Sequence, residues 1–107
     1  LAEMEIEIAA NKLLYYNLAY MIDKGQIPNY QASMQKVFAT EVSQRIMNTG
    51  MEILGLFGQL KKGSKWAALA GKIERHYRSS VVETIYAGTS EVQRNIIALR
   101  GLGLPAS

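Results

Sequence analysis

Cysteine is absent from this chain. That excludes a disulfide framework and any metal site built on thiolates. Histidine occurs once, at His76. A zinc centre would therefore need carboxylates for nearly all its ligands, a donor set zinc rarely uses. One histidine suffices in principle for a Ser–His–Asp triad, but no nucleophile-elbow pattern accompanies it, so a surface or structural role is expected. No apolar run reaches the roughly 18 residues of a membrane span. The N-terminus is acidic and amphipathic rather than basic then apolar, unlike a signal peptide. Neither sign of charge dominates: the net charge is +3, and basic residues are spread out apart from Lys61-Lys62-Gly63-Ser64-Lys65. No nucleic-acid footprint of the usual strength results, and the three lysines are expected to be solvated surface.

What remains is a chain of 107 residues, 49% apolar and 20% charged, enough for one small globular domain with one core. It opens in helical pattern at Leu1 with no capping residue and no initiator methionine, as expected of a piece of a longer protein. Leu1, Met4, Ile8, Tyr15, Leu18 and Ile22 follow helical spacing, and the run extends to about Asp23-Lys24-Gly25, where Gly25 is a plausible cap. Ile6, Ala10, Leu13, Leu14 and Met21 make this helix apolar on more than one side, so it is expected to be buried by several neighbours, some from another domain or subunit. A second helix is predicted from about Tyr30 to Leu54. Gly50 inside it costs about 1 kcal/mol relative to alanine unless something packs closely there. Gln59 to Ser64 reads as an exposed loop. Lys65 to Gly71 reads as the start of a third helix or a short helical turn, with Trp66 as a candidate anchor. Ile73 to Val82 continues in helical style. A fourth helix is expected from Thr89 to about Arg100, ended by two glycines and Pro105. With no clear strand or repeat, the fold class is all-α, an up-down helical bundle of about four helices.

The stretch from Thr84 to Ile97 carries the most chemistry. An apolar run ends at Gly88, and Thr89, Ser90 and Glu91 follow before a new apolar period begins. Thr89 or Ser90 is positioned to cap that helix, and Ser90 with Gln93 has capping-box spacing. Glu91 lies in the first turn, where the helix dipole favours negative charge. The free N–H groups of such a helix start also suit an anion, a phosphate in particular.

The run Thr84-Ile85-Tyr86-Ala87-Gly88-Thr89-Ser90-Glu91-Val92-Gln93-Arg94-Asn95-Ile96-Ile97-Ala98 resembles the C-terminal signature of flavin-dependent acyl-CoA dehydrogenases. The tail Arg100-Gly101-Leu102-Gly103-Leu104-Pro105 and the segments Ala32–Glu41 and Glu52–Gly58 are similar to the same domain, and Arg78 stands where the family usually has an arginine. The resemblance covers residues 1–107 as a C-terminal helical domain. It implies a larger three-domain flavoprotein, an oxidoreductase of the fatty acid metabolism type, that catalyses α,β-dehydrogenation of an acyl-CoA thioester with FAD. The isolated piece would be inactive. Implied partners are the acyl-CoA substrate, the upstream domains, and a homo-oligomer (usually a homotetramer) or a related acyl-CoA dehydrogenase subunit. A cytoplasmic, bacterial setting is expected. Carried over residue by residue, Thr89 and Glu91 would touch FAD from the last helix. Glu52, Ile53, Gly55 and Leu56 stand where a neighbouring subunit's FAD is contacted, and Tyr86 and Gly88 would border the substrate.

Three departures stand out. Glu52 replaces a common glutamine and Leu56 a common glycine, while Gln59 to Lys72 is longer than the family norm. At Ala87, many members carry the catalytic glutamate, and alanine has no proton-accepting group. No catalytic residue is therefore assigned within the chain. Either the base lies on an upstream helix, as in isovaleryl-type members, or the protein is a non-catalytic subunit or dead relative acting in assembly or binding. Without the resemblance, the pattern would read as a helical oligomerisation module.

Overall fold

The computed structural model describes residues 1–106, and among these there are helices and no strands. Helix α1 spans Ala2–Asp23, α2 Tyr30–Leu54, α3 Lys72–Glu83 and α4 Ser90–Ile96. The bundle is all-α. The ends of α1 and α2 fall where glycine and the loop residues place them. Gly25 takes a left-handed φ of 70°, its N–H donates to the Ile22 carbonyl, and the Gln26 N–H donates to that of Met21. This paired closure satisfies the last carbonyls of α1 and is the usual use of glycine just past a helix end. Helix α2 ends at Gly55, with φ 54°, in a short 3₁₀ segment, Gly55–Gln59. No helix among the described residues is long and apolar enough to cross a membrane.

Helix α2 is the spine. Helices α1, α3 and α4 all pack on it, and it carries the buried residues Ser33, Val37 and Val42. Gly50 lets α3 come close: a Cβ there would sit 3.1 Å from Cγ2 of Ile73. That contact accounts for a glycine in the middle of a long helix. At the far end, the Tyr30 ring lies against Gly101, where a Cβ would approach to 2.9 Å.

Three expectations are corrected. The seam of α1 against α2 takes in only part of its apolar stripe. Its half-buried residues are Met4, Glu7, Ala10, Asn11, Leu14, Leu18 and Met21, whereas Ile6, Ile8, Leu13, Tyr15 and Ile22 are exposed. Polar partners decide the register: Arg45 donates to Glu7 at 2.6 Å, and the Gln35 amide donates to Asn11 Oδ1 at 3.4 Å. The predicted fourth helix is α-helical only to Ile96. Ile97–Gly101 then widens to a π turn, in which the Leu102 N–H reaches the Ile97 carbonyl at 3.0 Å. Trp66 anchors nothing, since it is 66% exposed with the Lys65 ammonium 5.1 Å from its ring centroid. Of the two readings of Lys65–Gly71 the short helical turn holds, since the stretch ends in a 3₁₀ segment, Ala68–Gly71, ahead of α3.

The chain is elongated, with a radius of gyration of 16.9 Å against about 13 Å for a compact chain of this length. Among the described residues, Val37 and Val42 are the only buried apolar side chains. A core this small leaves the outer face of α1 in water, a larger apolar patch than a monomer usually shows. The isolated 107-residue chain is therefore expected to fold as helices but self-associate. Analytical ultracentrifugation showing one monomeric species at high concentration would contradict this.

Candidate functional site

The turn between α3 and α4 is held by side chains from several elements. Lys36 of α2 donates to the Gly88 carbonyl at 2.7 Å, and the Gln93 amide of α4 donates to the Ala87 carbonyl at 2.9 Å. The Gln44 amide of α2 donates to the Ser80 carbonyl at 3.1 Å and to Thr84 Oγ1 at 3.2 Å. Bonds involving a charged donor such as Lys36 contribute about 1.5–3 kcal/mol each. They hold Ala87 in a left-handed conformation, φ 54°, next to Gly88 at φ 90°. For a residue with a Cβ that backbone costs about 1 kcal/mol or more, and it persists because the surroundings over-determine it.

Thr89 is the cap of α4, and its Oγ1 accepts from the Val92 N–H at 3.3 Å. The Ser90–Gln93 capping box does not form. Ser90 lies one place inside the cap, and Gln93 turns back to Ala87. The other first-turn donors are also engaged. The Ser90 N–H bonds the Thr84 carbonyl and the Gln93 N–H that of Thr89. The Glu91 carboxyl lies below its ordinary value, held there by its own backbone N–H and then by the Thr89 hydroxyl. The helix start thus already carries its anion, and a phosphate would meet a carboxylate there. One polar atom is unspent: Ser90 Oγ is buried with no hydrogen-bond partner.

Between this turn and α2 lies an open recess of about 420 Å³. Glu41, Gln44, Arg45 and Asn48 line it from one face of α2, and Thr84, Ile85, Thr89, Ser90, Glu91 and Arg94 close it from the other side. Arg94 pairs with Glu41 at 2.7 Å and Arg45 with Glu7 at 2.6 Å, so both guanidinium charges are locally balanced. The lining is rich in hydroxyl and amide groups and bears little free charge. It suits a polar, hydroxyl-bearing, uncharged part of a ligand. Of the residues singled out in the sequence, Thr89 and Glu91 line the recess, and Tyr86 and Gly88 belong to the adjoining turn, Tyr86 being 55% exposed. Glu52, Ile53, Gly55 and Leu56 do not join them. They lie at the far end of α2, where Ile53 is 65% and Leu56 83% exposed. Lys36, Gln44 and Asn48 escaped sequence reasoning. The polar spacing of Glu41, Gln44, Arg45 and Asn48, one helical face, was the available signal. Among the described residues no group of His, Asp and Glu gathers as for a metal, and His76 is exposed.

The family model described as acyl-CoA dehydrogenase, C-terminal domain, matches residues 1–102. The chain belongs to the acyl-CoA dehydrogenase family. It is 45% identical over 98 residues to a 3-(aryl)acrylate reductase of Clostridium sporogenes, covering 92% of this chain and 24% of that one. It is 38% identical over 109 residues to acyl-CoA dehydrogenase FadE26 of Mycobacterium tuberculosis, covering 98% and 27%. The solved ChsE4-ChsE5 complex of Mycobacterium tuberculosis contains a chain that superposes with a TM-score of 0.89 at 35% identity, covering 99% of this chain and 27% of that chain. The chain thus spans about a quarter of the length of the relatives it matches.

Two outcomes follow for acyl-CoA dehydrogenases carrying this domain. Replacing Thr89 by alanine should cost about 1 kcal/mol in chemical denaturation and accelerate amide exchange at Val92. Glu74 is buried beside Arg78, whose hydrogen bond first, then its charge, hold the Glu74 carboxyl below its ordinary value of 4.5. The folded state binds that proton less readily than the unfolded one. The pairing therefore stabilises fully above 4.5 and is lost as pH falls through the lower folded value. Thermal melts of Glu74→Gln should show a shallower loss of stability below pH 4.5 than the parent.

Proposed function

We propose that this chain is the C-terminal domain of an FAD-dependent acyl-CoA dehydrogenase that removes hydrogens from the α and β carbons of an acyl-CoA thioester. Its part is to contact FAD and to pack the oligomer, while the base comes from outside residues 1–107. The observation that carries this reading is the clamped turn at Ala87–Glu91, a rigid platform beside a polar recess. The recess fits FAD in part. Thr89, Gln44, Asn48 and the Glu91 carboxylate suit the hydroxyls of an uncharged segment, and Ser90 Oγ is a donor still without a partner. The phosphates do not suit the start of α4, whose N–H groups are already engaged. When bound, FAD supplies the acceptor for the β-hydride. Ala87 takes no proton, so its role is to shape the turn that carries Tyr86 and Gly88 beside the substrate. The exposed ends Ile53 and Leu56, together with the outer face of α1, support contact with neighbouring subunits. A bacterial, cytoplasmic homotetramer is the arrangement this reading favours.

A second reading, a non-catalytic subunit working with a related dehydrogenase, is favoured by Ala87 and by the likeness to a chain of the ChsE4-ChsE5 complex. One experiment separates the two. The full-length protein is purified alone and co-expressed with a neighbouring dehydrogenase, then assayed for bound flavin and for acyl-CoA turnover in both directions, because one relative is named a reductase. Flavin and turnover in the protein alone are expected for the first reading. A colourless protein that stays so with added FAD, and acts only in the co-expressed complex, would sink it.

A further inference from the structure

A second recess, of about 380 Å³, lies between the loop after α2 and the first turns of α3. Lys61 and Lys62 form one wall, and Lys72, Arg75 and Arg78 the other, with Glu74 between them. These five cations and one carboxylate leave a local charge of +4, more than the net +3 of the whole chain. Glu74 is committed to Arg78, which donates to both of its oxygens at 2.6 and 3.2 Å. Among the described residues Lys61, Lys62, Lys72 and Arg75 have no salt-bridge partner. Like charges brought together without a counter-charge repel, and the fold needs something to hold them there.

The backbone supplies that restraint. Leu69, Ala70 and Gly71 are left-handed in succession, with φ of 50°, 54° and 71°. Gly71 presses against the loop so closely that a Cβ would lie 2.6 Å from the Lys62 nitrogen and 2.9 Å from the Lys61 carbonyl carbon. The backbone of the two lysines is thereby fixed opposite Lys72 and Arg75, while all four side chains remain exposed. Gly71 also caps α3 without any side-chain acceptor, so the first N–H groups of this 12-residue helix face the same positive region with no side chain to satisfy them. Dispersed donors and cations on two walls match a multivalent anion better than a single carboxylate.

We propose that this recess binds the diphosphate of a small ligand, free pyrophosphate or a nucleotide bearing one, at a place separate from the recess beside Thr89.

The test is calorimetric titration of the full-length protein with sodium pyrophosphate, ADP and coenzyme A at low ionic strength, with and without FAD. Saturable binding of pyrophosphate at one site is expected, weakening as salt screens the cations. Tighter binding of ADP or coenzyme A than of pyrophosphate would identify the source as a nucleotide, and the reverse order as the free anion. The double variant Lys61→Glu, Lys62→Glu should weaken binding by at least about tenfold, as should Arg75→Glu. The control Lys12→Glu, Lys24→Glu, which makes the same charge change on the exposed side of α1, should leave it intact. Absence of saturable binding would overturn the proposal. So would an equal loss in the control, which would mean net charge alone is read. Displacement of pyrophosphate by FAD would also overturn it, because the recess would then belong to the flavin.

Discussion

Helix α2 is the surface on which α1, α3, α4 and the π turn all close, and most other features follow from it. With only two buried apolar side chains among the described residues, hydrophobic burial alone does not fix where the other helices sit. Polar contacts therefore set the register along α2. Its outward reach, through Lys36, Gln44, Glu41 and Arg45, fixes the turn before α4, the pairing with Arg94 and the seam with Glu7. The candidate site is thus a product of helix packing more than of the signature residues themselves. Thr89 and Glu91 become useful because α2 presents amides and a guanidinium opposite them.

Much of the architecture is legible in the sequence because it is local. Helical periodicity, Gly25, Pro28 and the Gly55 break place the two long helices within a residue or two, and Gly50 announces a close neighbour that proves to be Ile73. The cap of α4 is legible for the same reason, since a hydroxyl before an apolar run has few other uses. What escapes is the choice among equivalent local options. The outer apolar residues of α1 and its half-buried seam have the same helical spacing, and only Arg45 and Gln35, far along the chain, select the seam. The Ser90–Gln93 spacing fits a capping box, but the Ala87 carbonyl offers Gln93 a better partner. The lysines after α2 are exposed, as expected of solvated surface, and what escapes is the left-handed turn at Leu69–Gly71 that folds their backbone against α3. No periodicity encodes that turn, because two of its three residues ordinarily avoid such a backbone.

The second recess and the first differ in electrostatic design. Around Thr89 both guanidinium groups have a carboxylate partner and polarity is carried largely by hydroxyls and amides. Around Lys62 the charges are left unmatched while the backbone is constrained. One arrangement discriminates by hydrogen-bond geometry, the other by charge and reach.

The left-handed backbone at Ala87 bears on how such a domain changes over evolutionary time. The conformational penalty there arises from the Cβ, which alanine already has. A longer side chain at this position adds no further penalty of that kind, and four hydrogen bonds from Lys36, Gln44 and Gln93 hold the turn whichever side chain it carries. Position 87 therefore behaves as a socket: a carboxylate can enter or leave by a single exchange while the fold beneath it stays as it is. Exchange of the side chain at position 87 is thus a cheap and reversible step for the backbone that carries it.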